Sequence, residues 1–151
     1  MSYDFIIYTR RERIPSADAL AAAVQRASPP LTVTGRVPDP GRSGFVPVTG
    51  PQGETGFEAY YGEIMAADAA DYEQQLAAGR AAGEAIEPAD LEHLEILRSC
   101  DLSITFSAKR PDEIEAAGRV AHALATMAGG WLCDPQRDAT IRLPWPPEPA
   151  R

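Results

Sequence analysis

Histidine and cysteine, which are often used in catalysis and metal binding, are few in this sequence and lie far apart. His93 and His122 fall on different predicted helices, and Cys100 and Cys133 form no Cys-x2-Cys pair. A zinc site normally needs three or four ligands at short, regular spacing, so we expect no metal and no cofactor. No Gly-x-Ser-x-Gly or P-loop motif is present, and Lys109 is the only lysine. The sequence therefore predicts no catalytic residues, and the two cysteines are interpreted as buried thiols.

The most distinctive local segment spans residues 54–58 and reads Glu-Thr-Gly-Phe-Glu. Its two carboxylates suit a general acid and a general base in an enzyme. In a structural interpretation, Gly56 permits a turn and Phe57 enters the core. In a third interpretation, Glu54 and Glu58 begin an acidic recognition surface. The sequence leaves these three alternatives open.

Acidic residues are concentrated in the middle third of the chain. The net charge is −8, and residues 51–100 carry eleven acids against two arginines, which gives −9. Nucleic acid is excluded as the expected partner, because phosphate contacts need a positive surface, whereas a basic protein partner fits this charge. A solvated helix face that collects acids for solubility is the competing explanation. The predicted partner-binding residues are Glu54, Glu58, Tyr60, Glu63, Asp68 and Asp71.

Hydrophobic periodicity predicts the elements that must position these residues. Strict alternation is typical of strands and a 3.6-residue repeat of helices. Pro47 cannot donate a ladder hydrogen bond, so its strand is expected at an edge or a bulge. The strands are predicted at 3–9, 31–35, 45–48, 57–61, 102–107 and 131–133, and the helices at 16–27, 66–86, from 88 onward and at 111–128.

The order of these elements predicts an α+β fold. It consists of a single mixed, mainly antiparallel sheet with helices packed mostly on one face and a C-terminal strand–helix–strand unit at 101–133. We expect one domain over residues 1–143 and a proline-rich tail over 144–151, with Trp145 packed back onto the domain. No basic region precedes an apolar run at the N-terminus and no apolar stretch reaches about 20 residues. We therefore expect a cytoplasmic protein that makes no contact with membranes.

Three segments together carry a resemblance to a known group of proteins. They are residues 1–8 (Met-Ser-Tyr-Asp-Phe-Ile-Ile-Tyr), residues 54–58, and residues 102–136, which contain Leu-Ser-Ile-Thr-Phe-Ser and end on Gly-Gly-Trp-Leu-Cys-Asp-Pro-Gln. Across most of residues 1–136 the chain resembles small uncharacterised bacterial α+β proteins, some of which are similar to immunity proteins of polymorphic toxin systems. The resemblance implies a small, acidic, cytoplasmic inhibitor that occludes a toxin, and it supplies no catalytic residues.

The leading hypothesis is thus a non-catalytic binding protein that inhibits a basic protein partner. Acids from the middle third would steer the partner, and an aromatic residue such as Tyr60 would provide a desolvated anchor. One alternative is a small enzyme that uses acids of a cleft together with His122. Another is a subunit of a homo-oligomer with a structural role.

Overall fold

A single antiparallel sheet organises the chain in the computed structural model, which describes residues 2–27, 31–34, 43–51 and 53–147. The α+β class and the mainly antiparallel sheet are confirmed. The last position of the predicted strand 31–35, most of the turn-rich loop around 37–44 and the end of the tail, 148–151, lie outside the described residues. The strands are β1 (Tyr3–Thr9), β2 (Thr32–Val33), β3 (Gly44–Gly50), β4 (Gly53–Glu63), β5 (Leu102–Ala108), β6 (Gly130–Asp134) and β7 (Ala139–Leu143), and the helices are α1 (Ala17–Ala27), α2 (Ala66–Ala81), α3 (Pro88–Ser99) and α4 (Pro111–Ala128).

The strand order in the sheet is β2-β3-β4-β5-β1-β6-β7, and every neighbouring pair is antiparallel. Strands β2, β3 and β4 are neighbours in both the chain and the sheet and form an antiparallel meander. The N-terminal strand β1 lies between β5 and β6 and pairs with both. Consequently β5 and β6, which α4 connects, run parallel to each other without sharing hydrogen bonds.

One face of the sheet carries the main core. Alternate residues of the central strands, such as Ile7 and Ile104, are fully buried against α4, which also packs on α1. Ser16 caps α1, since its Oγ accepts a hydrogen bond from the backbone N–H of Ala19 at 3.1 Å. The chain leaves α4 through Gly129 and Gly130, whose φ angles are 79° and 108°. This left-handed backbone favours glycine, and it turns the chain back to begin β6.

The opposite face of the sheet is covered at one end by α3. Ile96 and Cys100 bury themselves there against Trp131, with Tyr8 packed alongside. Helix α2 contributes no buried residue, and it packs on α3, where the ring of Tyr72 lies 4.8 Å from that of His93. Among the described residues, no helix has the length and apolar character needed to cross a bilayer.

Two sequence expectations need correction. Pro47 lies within β3, which pairs on both sides, and not on an edge strand. The carbonyl of Pro47 accepts a hydrogen bond from Thr34 N at 3.0 Å, so the nitrogen of Pro47 faces the same side. The hydrogen bond that proline cannot donate is therefore missing at the end of the two-residue strand β2 and not in the longer pairing with β4, and proline is tolerated. Helix α2 ends at Ala81 instead of residue 86, because Gly83 adopts a positive φ of 92°.

Candidate functional site: the open face of the sheet

The sheet face opposite α4 carries side chains that remain partly or fully exposed over β3, β4, β5 and β1. We call this surface the open face. Strand alternation places even-numbered residues of β1 and β4 and odd-numbered residues of β3 and β5 on it. The paired residues form two rows across the sheet, Phe45–Glu58–Ser107–Asp4 and Tyr60–Thr105–Ile6–Cys133–Thr140.

Three of the six predicted partner-binding residues share this face. Glu54, Glu58 and Tyr60 are all exposed and lie on the same side of β4, because their positions differ by even numbers. Tyr60 is 50% exposed, which is unusual for a large aromatic residue in a central strand. The open face therefore combines two carboxylates with an aromatic ring that is free to contact a partner.

The floor of the open face is a shallow trough along β5. Its residues Ser103, Thr105 and Ser107 are small, hydroxylated and partly exposed. The strands on either side, β4 and β1, are separated by two strand spacings, roughly 9.5 Å. Beside Thr105 and Ser107 they carry larger side chains, which are Glu58, Tyr60, Asp4 and Ile6. Asp4 borders the trough, and its Oδ1, although shielded from solvent, has no hydrogen-bond partner among the described residues.

The remaining three predicted partner-binding residues do not lie on the open face. Two of them, Glu63 and Asp68, already form contacts within the chain. Glu63 projects from the other side of β4 and forms an ion pair with Arg11 at 3.2 Å. Asp68 caps α2, because its Oδ2 accepts from the backbone N–H of Met65 at 2.7 Å. Asp71 is exposed on α2, away from β4. The structure thus places Glu54, Glu58 and Tyr60 on the open face, Asp68 and Asp71 on α2, and Glu63 on the other side of β4.

A recess of about 360 Å³ adjoins the open face beside Glu54. Phe45, Gly56 and Glu54 line one side, and Arg110 and Glu113 at the start of α4 line the other. The Phe45 ring lies directly over Gly56, so Phe45 is explained by strand packing rather than by recognition. The recess carries charges of both signs, because Glu54 and Glu113 line it together with Arg110.

The arginine cluster at residues 10–13 proved to hold the C-terminal segment, a role that sequence reasoning missed. Arg10 stacks on Trp145, with its Cζ 4.6 Å from the ring centroid, and its Nε donates to Ser99 O at 2.9 Å. Arg13 donates to Pro146 O at 2.7 Å. Trp145 also meets Trp131 edge to face at 6.1 Å, so the expected docking of Trp145 onto the domain is confirmed. The paired prolines around a tryptophan were the only sequence signal for this contact.

The surroundings of His122 give little support to the enzyme alternative. His122 is exposed in a groove of about 540 Å³ between α1 and α4. Among the residues that the structure describes, the groove is lined mainly by Ala, Gly, Thr and Met with Arg119, and none of them is an acid. General acid–base chemistry at this histidine would need a carboxylate or a bound substrate to orient it.

The two cysteines are free thiols packed against the second, smaller apolar cluster. Burial raises the pKa of Cys100 to about 11 and also raises the pKa of Cys133. Since the thiolate is the nucleophilic form, both side chains are poor nucleophiles at neutral pH. Within the described ranges, no three His, Cys, Asp or Glu side chains come together in a group able to hold a metal ion.

Comparison with known proteins adds nothing to the interpretation of the open face, which therefore depends on its geometry. The chain matches none of the protein-family models, curated proteins or solved structures with which it was compared.

Proposed function

We propose that this chain is a non-catalytic binding protein that receives a basic protein partner on its open face. The observation that supports this most directly is the placement of Glu54, Glu58 and the half-exposed Tyr60 on one side of β4. Complementary charge accelerates encounter and sets the orientation of the partner. An exposed aromatic residue that becomes desolvated in the complex supplies affinity.

The chemistry of the trough fits a cationic side chain of the partner. The exposed Glu58 carboxylate accepts hydrogen bonds from a guanidinium or ammonium group. The ring of Tyr60, one row along β4 from Glu58, offers a face for a cation–π contact. The hydroxyls of Ser107 and Thr105 form a floor that the flat fork of an arginine can approach.

The specific form of the proposal is an immunity-type inhibitor that occludes a basic toxin. It is supported by the net charge of −8, by the surface just described and by the resemblance of residues 1–136 to proteins of that kind. An inhibitor of this kind works by covering the partner's surface, so it needs no nucleophile, metal or cofactor. The proposal places the protein in the cytoplasm, where such an inhibitor would meet its toxin.

The partner must be identified before the surface can be tested. We would examine the neighbouring gene for a toxin-like reading frame, and capture binding proteins from the source cell on the immobilised chain. Co-expression then tests inhibition: the chain should restore growth to cells that express the partner, and a partner that remains toxic in its presence would contradict the inhibitor function.

Association kinetics then test which surface binds. We expect the double reversal Glu54→Lys with Glu58→Lys to slow association by about tenfold or more at low ionic strength, and to weaken its salt dependence. The matched control is Asp71→Lys with Glu92→Lys, which changes the net charge equally but alters exposed residues of α2 and α3. A wild-type association rate for the β4 pair would remove the open face from the interface. A larger effect of the control pair would place the interface on the α2–α3 hairpin.

The contribution of the aromatic ring is measured separately. Tyr60→Ala should weaken the complex by about 2 kcal/mol, mainly through faster dissociation, because it removes a central anchor. Tyr60→Phe, which keeps the ring, should retain most of the affinity. Equal losses in the two variants would show that the hydroxyl, and not the ring, makes the contact.

A further inference from the structure

The C-terminal segment, residues 144–147, lies in a site that distant parts of the chain build together. Arg10, which follows β1, covers the face of the Trp145 ring, with its Cζ 4.6 Å from the ring centroid. Trp131 of β6 meets the same ring edge to face, with 6.1 Å between the two centroids. Arg13 donates a hydrogen bond from Nη1 to the carbonyl oxygen of Pro146 at 2.7 Å. The segment is therefore held through one aromatic side chain and one carbonyl group.

The backbone of the segment is separate from the sheet. The ladder between β6 and β7 ends at the pair Gly130↔Leu143. Outside the helices and strands, no backbone–backbone hydrogen bond among the described residues involves residues 144–147. Three of these four residues are prolines, which have no N–H to donate. A segment held in this way detaches locally, without unfolding of the sheet.

The contacts are those by which proteins recognise proline-rich peptides. Pro144 and Pro147 have the P-x-x-P spacing of such peptides, which dock in an extended, preformed conformation into grooves lined by aromatic rings. Pro146 favours extended backbone at Trp145, because the residue before a proline is disfavoured in the helical region. Since most of the segment lacks N–H groups, its carbonyl oxygens are the polar atoms left to recognise, and Arg13 meets one of them.

The floor of the site is shaped for close approach of this segment. A Cβ at position 129 would lie 2.8 Å from the carbonyl oxygen of Pro144 and 2.8 Å from the Cα of Trp145. These distances are shorter than van der Waals contact, so the segment crosses a position where only glycine leaves room. Gly129 also has a φ of 79°, which glycine adopts without strain.

We propose that the surface formed by Arg10, Arg13 and Trp131 is a recognition site for proline-rich peptides that contain a tryptophan. The chain's own residues 144–147 occupy the site in cis and act as an internal competitor. The apparent affinity for an external peptide is therefore reduced to the fraction of molecules in which the site is open. Trp131 lies in the row of Tyr8, which α3 covers, and not in the rows of the open face. The outcome at this site consequently leaves the function proposed above unaffected.

A synthetic peptide tests the site in the full-length variant Trp145→Ala, which vacates the aromatic position. The probe is acetylated and amidated Leu-Pro-Trp-Pro-Pro, the sequence of residues 143–147. Trp131 is the only tryptophan left in this variant, so its indole N–H resonance in ¹⁵N-labelled protein reports binding directly. We expect saturable shifts with a dissociation constant of about 1 mM. The wild type, whose own segment occupies the site, should bind the peptide at least about tenfold more weakly.

Matched controls separate recognition from nonspecific contact. The peptide Leu-Pro-Ala-Pro-Pro lacks the ring and should give no saturable shift. Arg10→Met, added to Trp145→Ala, should weaken binding by about two- to fivefold through loss of the cation–π contact, whereas Arg80→Met on the exposed surface of α2 should not. Trp145→Leu, which keeps an apolar side chain, replaces Trp145→Ala as host if the alanine variant does not unfold cooperatively.

Three results would overturn the proposal. The first is the absence of a Trp131 shift at about 10 mM peptide, which is ten times the expected dissociation constant. The second is equal binding of the tryptophan and alanine peptides. The third is equal affinity of the wild type and the vacated variant, which would show that the chain's own segment does not compete for the site.

Discussion

Removal of the Trp145 side chain is the sharpest test of how the C-terminal segment is held. Trp145 is partly buried, meets Trp131 at 6.1 Å and carries Arg10 over its face at 4.6 Å. Burial of roughly 100 Å² of a tryptophan is worth about 2.5 kcal/mol. The aromatic pair and the cation–π contact each add about 1 kcal/mol. Release of the Trp145 backbone returns freedom worth about 2 kcal/mol, so we expect Trp145→Ala to cost about 2–3 kcal/mol.

This cost should be measured by urea unfolding followed by far-UV circular dichroism, because loss of a tryptophan alters the fluorescence signal. The corresponding fall in Tm is about 4–12 °C for a chain of this length. A double-mutant cycle with Arg10→Met isolates the cation–π contact, and we expect a coupling free energy of about 0.5–1 kcal/mol. Pro147→Ala, at an exposed position of the same segment, is the control. A loss below about 0.5 kcal/mol for Trp145→Ala, or zero coupling with Arg10, would refute this account of the segment.

Two further predictions concern β4. Gly56→Ala should destabilise the protein by about 1–3 kcal/mol, because the new Cβ would lie 2.6 Å from the fixed carbonyl oxygen of Val46. Gly62→Ala is the control and should cost less, because its Cβ meets only the rotatable Ser103 Oγ at 2.8 Å. Equal stabilities of the two variants in thermal unfolding would contradict this reasoning. The Thr55 hydroxyl donates a hydrogen bond to Asp112 at 2.7 Å and lowers the pKa of that carboxyl. This bond contributes stability that is present above the carboxyl's pKa in the unfolded chain, about 3.9, and is lost as the pH falls through its lower pKa in the folded protein. Thr55→Val should therefore be less stable than wild type at pH 7 and converge with it in acid, and a difference that stays constant with pH would exclude this mechanism.

The sequence by itself determined the elements whose signals are local. The alternation in β5, the run of Tyr, Phe and Ile in β1 and the apolar stripe of α4 are local signals, so these elements were predicted close to their observed bounds. The acidic middle third was also readable directly from composition. Strand β7 was missed, because its five residues are mostly exposed and the strand forms only through pairing with β6.

Tertiary structure alone decided which residues form the candidate site. Alternation shows that Tyr60 and Tyr61 point to opposite faces of β4, but it does not say which face the helices cover. Packing of α4 buries the side that carries Tyr61, and so leaves Tyr60 exposed beside Glu58. The pairing of Glu63 with Arg11 depends in the same way on contacts between residues far apart in the chain. Local periodicity has no information about such contacts, because they arise only when β1 inserts between β5 and β6 and the helices select one face of the sheet.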